Sequence, residues 1–354
     1  MAAFLLFLQP VFAQYDFKEL DQEFQNKQPL LGKDMVFMIW KKDDTLIYKK
    51  EVGDFNSKTV APIASCSKWL TAALVMQFVD EGKLSLDDKI TRWLPEFEKY
   101  GKNYITLRLC LSHMTGIKDD AGFLKRMFQR SKFSSLEEEV NSFAAREIRT
   151  NPGTDFWYGN IGLNIAGRVL EVISKKKFDV LIKQKLFNVM GMRKTTFTTL
   201  DNSAVNPSGG ASSTADDYMK FLVMLMNKGK YGGKQILSEE SVNELMQVQT
   251  TAGQIRYAPK AALGFNYALG SWVAEEHPLP ELRSQSSQGS IAPGGGGTAS
   301  ALASPGLFGT WPMIDFNRGY AYIVFVKNLL GEEKADAHMA LKKIIDKQIT
   351  PVSQ

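Results

Sequence analysis

Residues 61 to 82, APIASCSKWLTAALVMQFVDEG, limit most strongly how this chain can fold. From Trp69 to Val79 almost every side chain is apolar, on all sides of a 3.6-residue period, and Gly82 supplies a C-terminal stop. A helix predicted over 66–81 therefore has no face for water and must run through the interior. Yet Lys68 stands in its first turn. Burying an unpartnered ammonium costs several kcal/mol, so Lys68 needs a partner, a neutral state or a cleft at the helix mouth. Ser65 lies three residues earlier on the same helical face, within hydrogen-bonding reach. The first-turn N–H groups have no intrahelical partner and suit an oxyanion. A second Ser-x-x-Lys, Ser174 to Lys177, falls in the solvated basic run SKKKFD. About one or two such matches occur by chance in a chain of this length, and that copy carries no functional weight.

Covering such a helix takes a sizeable core. The 354 residues, 44% hydrophobic and 23% charged, are enough for one large domain or two that share a core. The formal charge is +5, but the cations are scattered among 38 acids with no arginine-rich or basic-aromatic stripe, which speaks against a nucleic-acid partner. The opening MAAFLLFLQPVFAQ holds a short apolar stretch ending in Val11-Phe12-Ala13. It resembles a secretory leader over residues 1–13 without the basic beginning; the expectation is export to the periplasm or medium, the alternative an apolar tail. No later segment reaches 18 apolar residues, so no integral membrane segment is expected after cleavage. Cys66 and Cys110 fall in apolar helical stretches and are expected as buried free thiols, with a bridge open if the two helices adjoin.

Residues 35 to 53 read as two strands around a polar turn from Lys41 to Asp44. FGTWPMID and GYAYIVFVKN read as two more, joined at Asn317-Arg318-Gly319 and followed by an amphipathic helix from Ala335 to Gln348. Between these ends the chain is mainly helical, with helices predicted over 66–81, 106–112, 134–147, 161–174, 178–189, 214–229 and 238–247. SSLEEEV and SSTADDYM carry helix-start signals. The expected fold is α+β: an antiparallel sheet built from both chain ends (14–65 plus 295–354), flanked by helices, with a large mainly helical insertion (66–294) and the active site at the junction. Residues 286 to 306, SSQGSIAPGGGGTASALASPG, read as a glycine-rich loop bordering the last strands. Gly294, Gly296 and Ala299 match G-x-G-x-x-A, but no strand-to-helix unit surrounds them, so a dinucleotide site is rejected.

Other chemistries drop out. His113, His277 and His338 lack the spacing of a zinc site, so no metal or other cofactor is expected. There is no G-x-S-x-G elbow. His113, in CLSHMTGI, reads as a hydrogen-bonded structural histidine rather than a base. A Ser65 nucleophile needs a group that takes its proton and returns it to the leaving group. NPGTDFWYGNIGLNIAG offers Tyr158 and Asn160 on a loop before a helix. A phenol near a cation is pushed toward phenolate. The competing reading packs Tyr158 under the loop and spends Asn160 as a helix N-cap.

Taken together, IASCSK, ITLRLCLSHMTGI, PGTDFWYGNIGLNIAGRVLE, LFNVMGMRKTTF and GGASSTADDYMKFLVMLM stand in the order of one family. The chain resembles the serine β-lactamase and penicillin-recognising superfamily, above all the class C β-lactamase-like serine hydrolases, along nearly its whole length. The resemblance implies a β-lactamase/transpeptidase-like fold, with Ser65 attacking a carbonyl and Lys68 helping to deprotonate it. Tyr158 would shuttle the proton to the leaving group, and Asn160 would position Lys68 and the substrate amide. Which of Lys68 and Tyr158 is the base stays open, because strongly coupled groups titrate as a unit. The implied oxyanion hole pairs the Ser65 N–H with one near Leu307. The family's Lys-Thr-Gly or His-x-Gly motif is replaced by Ser304-Pro305-Gly306, which carries no cation to bind a substrate carboxylate; alternatively these three residues are only a turn. The leading expectation is hydrolysis of small esters or amides. A β-lactamase or D-amino-acid peptidase and a non-catalytic binder of cell-wall peptides are the alternatives. Residues 118 to 135 and the glycine-rich loop are expected to wall the cleft.

Overall fold

The two ends of the chain meet in one sheet. A computed structural model describes residues 15–119, 133–199, 201, 203–276, 297–329 and 334–351. Its sheet strands are β1 (Met35–Lys41), β2 (Thr45–Val52), β3 (Asn266–Tyr267), β4 (Trp272–Glu276), β5 (Ala299–Ala303), β6 (Trp311–Asp315) and β7 (Tyr320–Val326), in the spatial order β2-β1-β7-β6-β5-β4-β3. All neighbours are antiparallel, and β1 joins the N-terminal hairpin to the C-terminal one in the register Met35↔Val326 to Lys41↔Tyr320. The two hairpins form where the sequence placed them.

Both faces of this sheet are covered, so its central strands are apolar at consecutive positions rather than alternate ones. Val36 and Met38 face the large helical core, whereas Met35, Phe37 and Ile39 pack into a second cluster. That second cluster is closed by two helices, α1 (Lys18–Leu31) near the start and one at the end of the chain. The latter, Ala335–Gln348, is the expected terminal amphipathic helix. The helix α1 is an addition to the reading; it buries only Leu20, Phe24 and Leu31 and contains Pro29.

On the other face lies α2 (Ser67–Asp80), buried at every residue from Ser67 to Phe78. Around it run α3 (Leu107–Leu111), α4 (Leu136–Ala144), α5 (Ile161–Ser174), α6 (Phe178–Ile182), α7 (Ala215–Met226) and α8 (Glu239–Leu245), with the terminal helix as α9. The expected helix over 178–189 is interrupted, as α6 passes into a π turn at Lys183–Phe187 before Asn188–Met190. Thr106, Ser135, Thr214 and Ser238 cap α3, α4, α7 and α8, each side chain accepting an N–H three residues on.

Two expectations about the sheet are overturned. Residues 299 to 303, read as part of a glycine-rich loop, form β5, which is buried throughout between β4 and β6. Residues 286 to 296, with Gly294 and Gly296, lie outside the described residues. Strands β3 and β4 also join the sheet from within the stretch assigned to the helical insertion, so the sheet resumes at Asn266 rather than near 295. Cys66 and Cys110 are both buried thiols and are not bridged to each other. Among the described residues no helix is long and apolar enough to cross a membrane.

Candidate active site

The turn that carries Ser65 is held from the side. Ala61–Pro62 pairs with Ser212–Ser213, and the Ile63 N–H donates to the Ala211 carbonyl at 2.9 Å. The chain then makes a single 3-10 turn, Ala64–Cys66, before α2 begins. Ala64 has φ +43°, a left-handed conformation that strains a residue with a β-carbon. Ser65 thus stands one turn ahead of α2 rather than inside it, but its hydroxyl still meets the Lys68 ammonium, with Nζ to Oγ 3.1 Å.

Lys68 is 1% exposed and its Nζ is ringed by hydrogen-bond partners. Besides Ser65, Nζ donates to the Ser208 carbonyl at 2.8 Å and to Asn160 Oδ1 at 3.4 Å. Those two acceptors take two hydrogens. The third position faces Ser65 Oγ, where an ammonium donates and a neutral amine accepts the serine proton. Ser208 was not singled out from sequence. It is placed by Asn164, whose Oδ1 accepts the Ser208 N–H at 3.1 Å, and by Thr71, whose hydroxyl donates to the Pro207 carbonyl at 2.6 Å.

Asn160 occupies the N-cap position of α5 but makes no side-chain cap; its amide oxygen faces Lys68 instead. The reading that spends Asn160 as a cap is therefore set aside. Tyr158 follows the short strand Phe156–Trp157, and Lys68 Nζ lies 4.8 Å from its ring centroid. The ring packs in a cluster of Phe156, Tyr267 and Trp272. Gly270 lets the turn between β3 and β4 lie directly on α2: with φ +80°, a β-carbon there would lie 2.7 Å from Ala72 Cβ and 2.9 Å from the Lys68 carbonyl oxygen. His113 is buried and hydrogen-bonded as expected, Nε2 lying 3.1 Å from the Tyr267 hydroxyl. Its ring also lies 4.8 Å from that of Tyr158, which sequence did not foretell.

Ser304-Pro305-Gly306, the third motif of the resemblance, abuts the turn that carries Ser65. Ser304 Oγ donates to the Ser65 carbonyl at 3.4 Å, and a β-carbon on Gly306 would lie 2.3 Å from the Ile63 carbonyl oxygen. Ser304 N–H is committed to Pro312 O at 3.2 Å and Gly306 N–H to Thr310 O at 2.8 Å. Pro305 has no N–H to offer. Leu307, half-buried in the turn that follows, carries the next backbone donor. His277 and residues 120 to 132 of the expected cleft wall lie outside the described residues, and among the described residues no cluster of three or more metal-ligating side chains occurs.

A serine and a buried lysine at the junction of an antiparallel sheet and a helical layer define a serine hydrolase of the α+β class. The Beta-lactamase family model matches residues 28–344, and the chain belongs to that family. It is 27% identical over 344 residues to protein Rv1367c of Mycobacterium tuberculosis (strain ATCC 25618 / H37Rv), covering 79% of this chain and 82% of that one. A solved structure of a candidate β-lactamase from Bacteroides dorei DSM 17855 superposes with a TM-score of 0.78 at 26% identity, covering 94% of this chain and 99% of the other. The hydrolase EstCE1, described as having promiscuous acyltransferase activity, shares the fold at a TM-score of 0.72 and 17% identity, over 93% and 97% of the two chains.

Proposed function

We propose that this protein hydrolyses small esters or amides through an acyl-enzyme on Ser65. The observation that carries the reading is the Lys68 head, buried and aimed at Ser65 Oγ at 3.1 Å by Asn160 and the Ser208 carbonyl. Ser65 Oγ adds to the substrate carbonyl carbon while its proton passes to the Lys68–Tyr158 pair. The carbon–heteroatom bond then breaks, and the same pair returns the proton to the departing alkoxide or amine. Water repeats the addition on the acyl-enzyme, giving the acid and free Ser65. The oxyanion of each tetrahedral intermediate is taken by the N–H groups of Ser65 and Leu307, a contribution of about 3 kcal/mol per donor in comparable sites.

The absence of a cation from Ser304-Pro305-Gly306 favours substrates without a free carboxylate beside the scissile bond, hence esters over cell-wall peptides and β-lactams. Export to the periplasm or medium is proposed on the leader-like residues 1–13 and is checked by N-terminal sequencing of the protein from culture fractions. The function is tested by p-nitrophenol release from a short-chain p-nitrophenyl ester. Ser65→Ala and Tyr158→Phe are each expected to fall by about two orders of magnitude or more. Equal low rates in all three proteins would sink the assignment for esters, and faster turnover of a cephalosporin than of the ester would move the substrate to the β-lactamase side.

A further inference from the structure

His113 holds the Tyr158 segment in two ways. Its carbonyl accepts the Trp157 N–H at 3.1 Å, one residue before Tyr158, and its ring stands 4.8 Å from the Tyr158 ring. The residue is buried at φ +57°, the left-handed region that a residue with a β-carbon rarely adopts. Strain of that kind persists only where surrounding structure imposes it, and it gathers at functional sites. Here the surroundings are specific. Nε2 meets the hydroxyl of Tyr267, which is 1% exposed and fixed in β3 by its own N–H to Thr250 Oγ1 at 2.8 Å.

The pair carries no charge. Burial, with the Lys68 charge adding to it, keeps the imidazole well below its ordinary pKa, and burial, with Tyr158 adding to it, keeps the Tyr267 phenol well above its own. Among the described residues the titratable groups that face His113 are Lys68, Tyr158 and Tyr267; the other rings against it and Tyr158, Phe156 and Trp272, do not titrate. In either imidazole tautomer one hydrogen bond to Tyr267 fixes the ring plane.

We propose that His113 and Tyr267 form a positioning pair for Tyr158, a hydrogen-bonded support that sets the phenol against Lys68 for proton transfer. Neither touches the reacting atoms; both act through Tyr158. The proposal rests on the acyl-enzyme reading above. A histidine that only fills space would leave the protonation of the Lys68–Tyr158 couple alone. A positioning histidine sets the distance between phenol and ammonium, and with it the pH at which the couple works.

The test compares the full-length protein with Tyr267→Phe, which removes one hydroxyl from an intact ring, and with His113→Gln and His113→Phe. Each is assayed with p-nitrophenyl acetate from pH 5 to 10, and for acylation by a fluorophosphonate. Tyr267→Phe is expected to melt near the parent, keep KM within about threefold, lose about tenfold in kcat and move a limb of the pH–rate profile by about half a unit or more. His113→Phe should lose more, His113→Gln less, because glutamine can still bond to Tyr267. Profiles that superpose on the parent's, with rates lower only by the unfolded fraction, would overturn the pair. If the His113 variants do not fold, the Tyr267→Phe profile decides alone. A parent that neither turns over the ester nor takes the fluorophosphonate removes the acyl-enzyme reading and the pair with it, whereas an active parent with unshifted variants removes the pair only.

Discussion

Gly306 lies against the carbonyl of Ile63 so closely that a β-carbon at 306 would stand 2.3 Å from that oxygen and 2.9 Å from Cys66 Sγ. The contact ties the third motif to the turn that carries Ser65. Both neighbours are fixed, the carbonyl by the backbone and the thiol by burial, so a methyl group forces the turn to move. Misplacement of about 1 Å can cost about a hundredfold in rate. Gly306→Ala is therefore expected to lose about that much in kcat while still folding, read by ester turnover alongside circular dichroism. Undiminished turnover would mean that the third motif is not seated on the turn that carries Ser65.

Asn160 separates catalysis from stability. As its side chain caps no backbone N–H of α5, truncation removes no helix cap, only the acceptor 3.4 Å from Lys68 Nζ. Asn160→Ala should change unfolding free energy by about 1 kcal/mol or less and lower kcat by about ten- to a hundredfold. Denaturant unfolding and ester kinetics on one preparation check both. A large loss of stability would show that the residue serves the helix after all.

What the sequence revealed of this site, and what it hid, follows from where the information sits. The run from Trp69 to Val79 announces a buried helix because its residues leave no polar face, and Lys68 stands out against it. Helix α1 stayed hidden because three buried apolar residues among fourteen make only a weak stripe. Strand β5 was missed for another reason: Ala299–Ala303 is nearly all small residues of low strand propensity, and pairing on both sides overrides that preference. Ser65, Lys68 and Asn160 were legible as side chains with chemistry. The Ser208 acceptor is a carbonyl, which every residue possesses, so only the Pro-Ser-Gly-Gly turn before α7 could have drawn attention to it. Nor could spacing show that the His113 ring reaches Tyr158, since Tyr267, more than a hundred residues away, completes the pair.

His338 makes stability depend on pH. Its ring stacks on Trp311 with centroids 4.2 Å apart, is fully buried, and neither nitrogen has a hydrogen-bond partner among the described residues. Burial pushes its pKa from 6.5 down to about 3. The unfolded chain therefore takes up a proton near pH 6.5 that the folded chain refuses, so the contribution is complete above 6.5 and is lost as pH falls toward 3. The limiting slope is about 1.4 kcal/mol per pH unit. His338→Phe keeps the stack and removes the titration. It should flatten the fall in melting temperature between pH 6.5 and 4, and equal slopes in parent and variant would rule His338 out as its source.

Lys342 fastens α9 to the sheet. It is 1% exposed and bonds Asp315 at 3.0 Å on β6, Glu275 at 2.8 Å on β4 and Asp346 at 2.8 Å on its own helix. Asp315 is wholly buried, with Arg318 as a further cationic partner at 3.1 Å. Lys342→Met fills similar space but strands part of that negative charge, and breaking a buried pair from one side typically costs about 3–5 kcal/mol. Adding Asp315→Asn should recover part of the loss, because the uncompensated charge goes with it. This cluster lies on the α1–α9 side of the sheet, whereas Lys68 and Ser65 belong to the α2 side. Ester turnover per folded molecule should therefore match the parent in both variants. A lower rate in fully folded Lys342→Met would show that the two faces are coupled through the strands, and denaturant titration beside active-site counting with a fluorophosphonate distinguishes the cases.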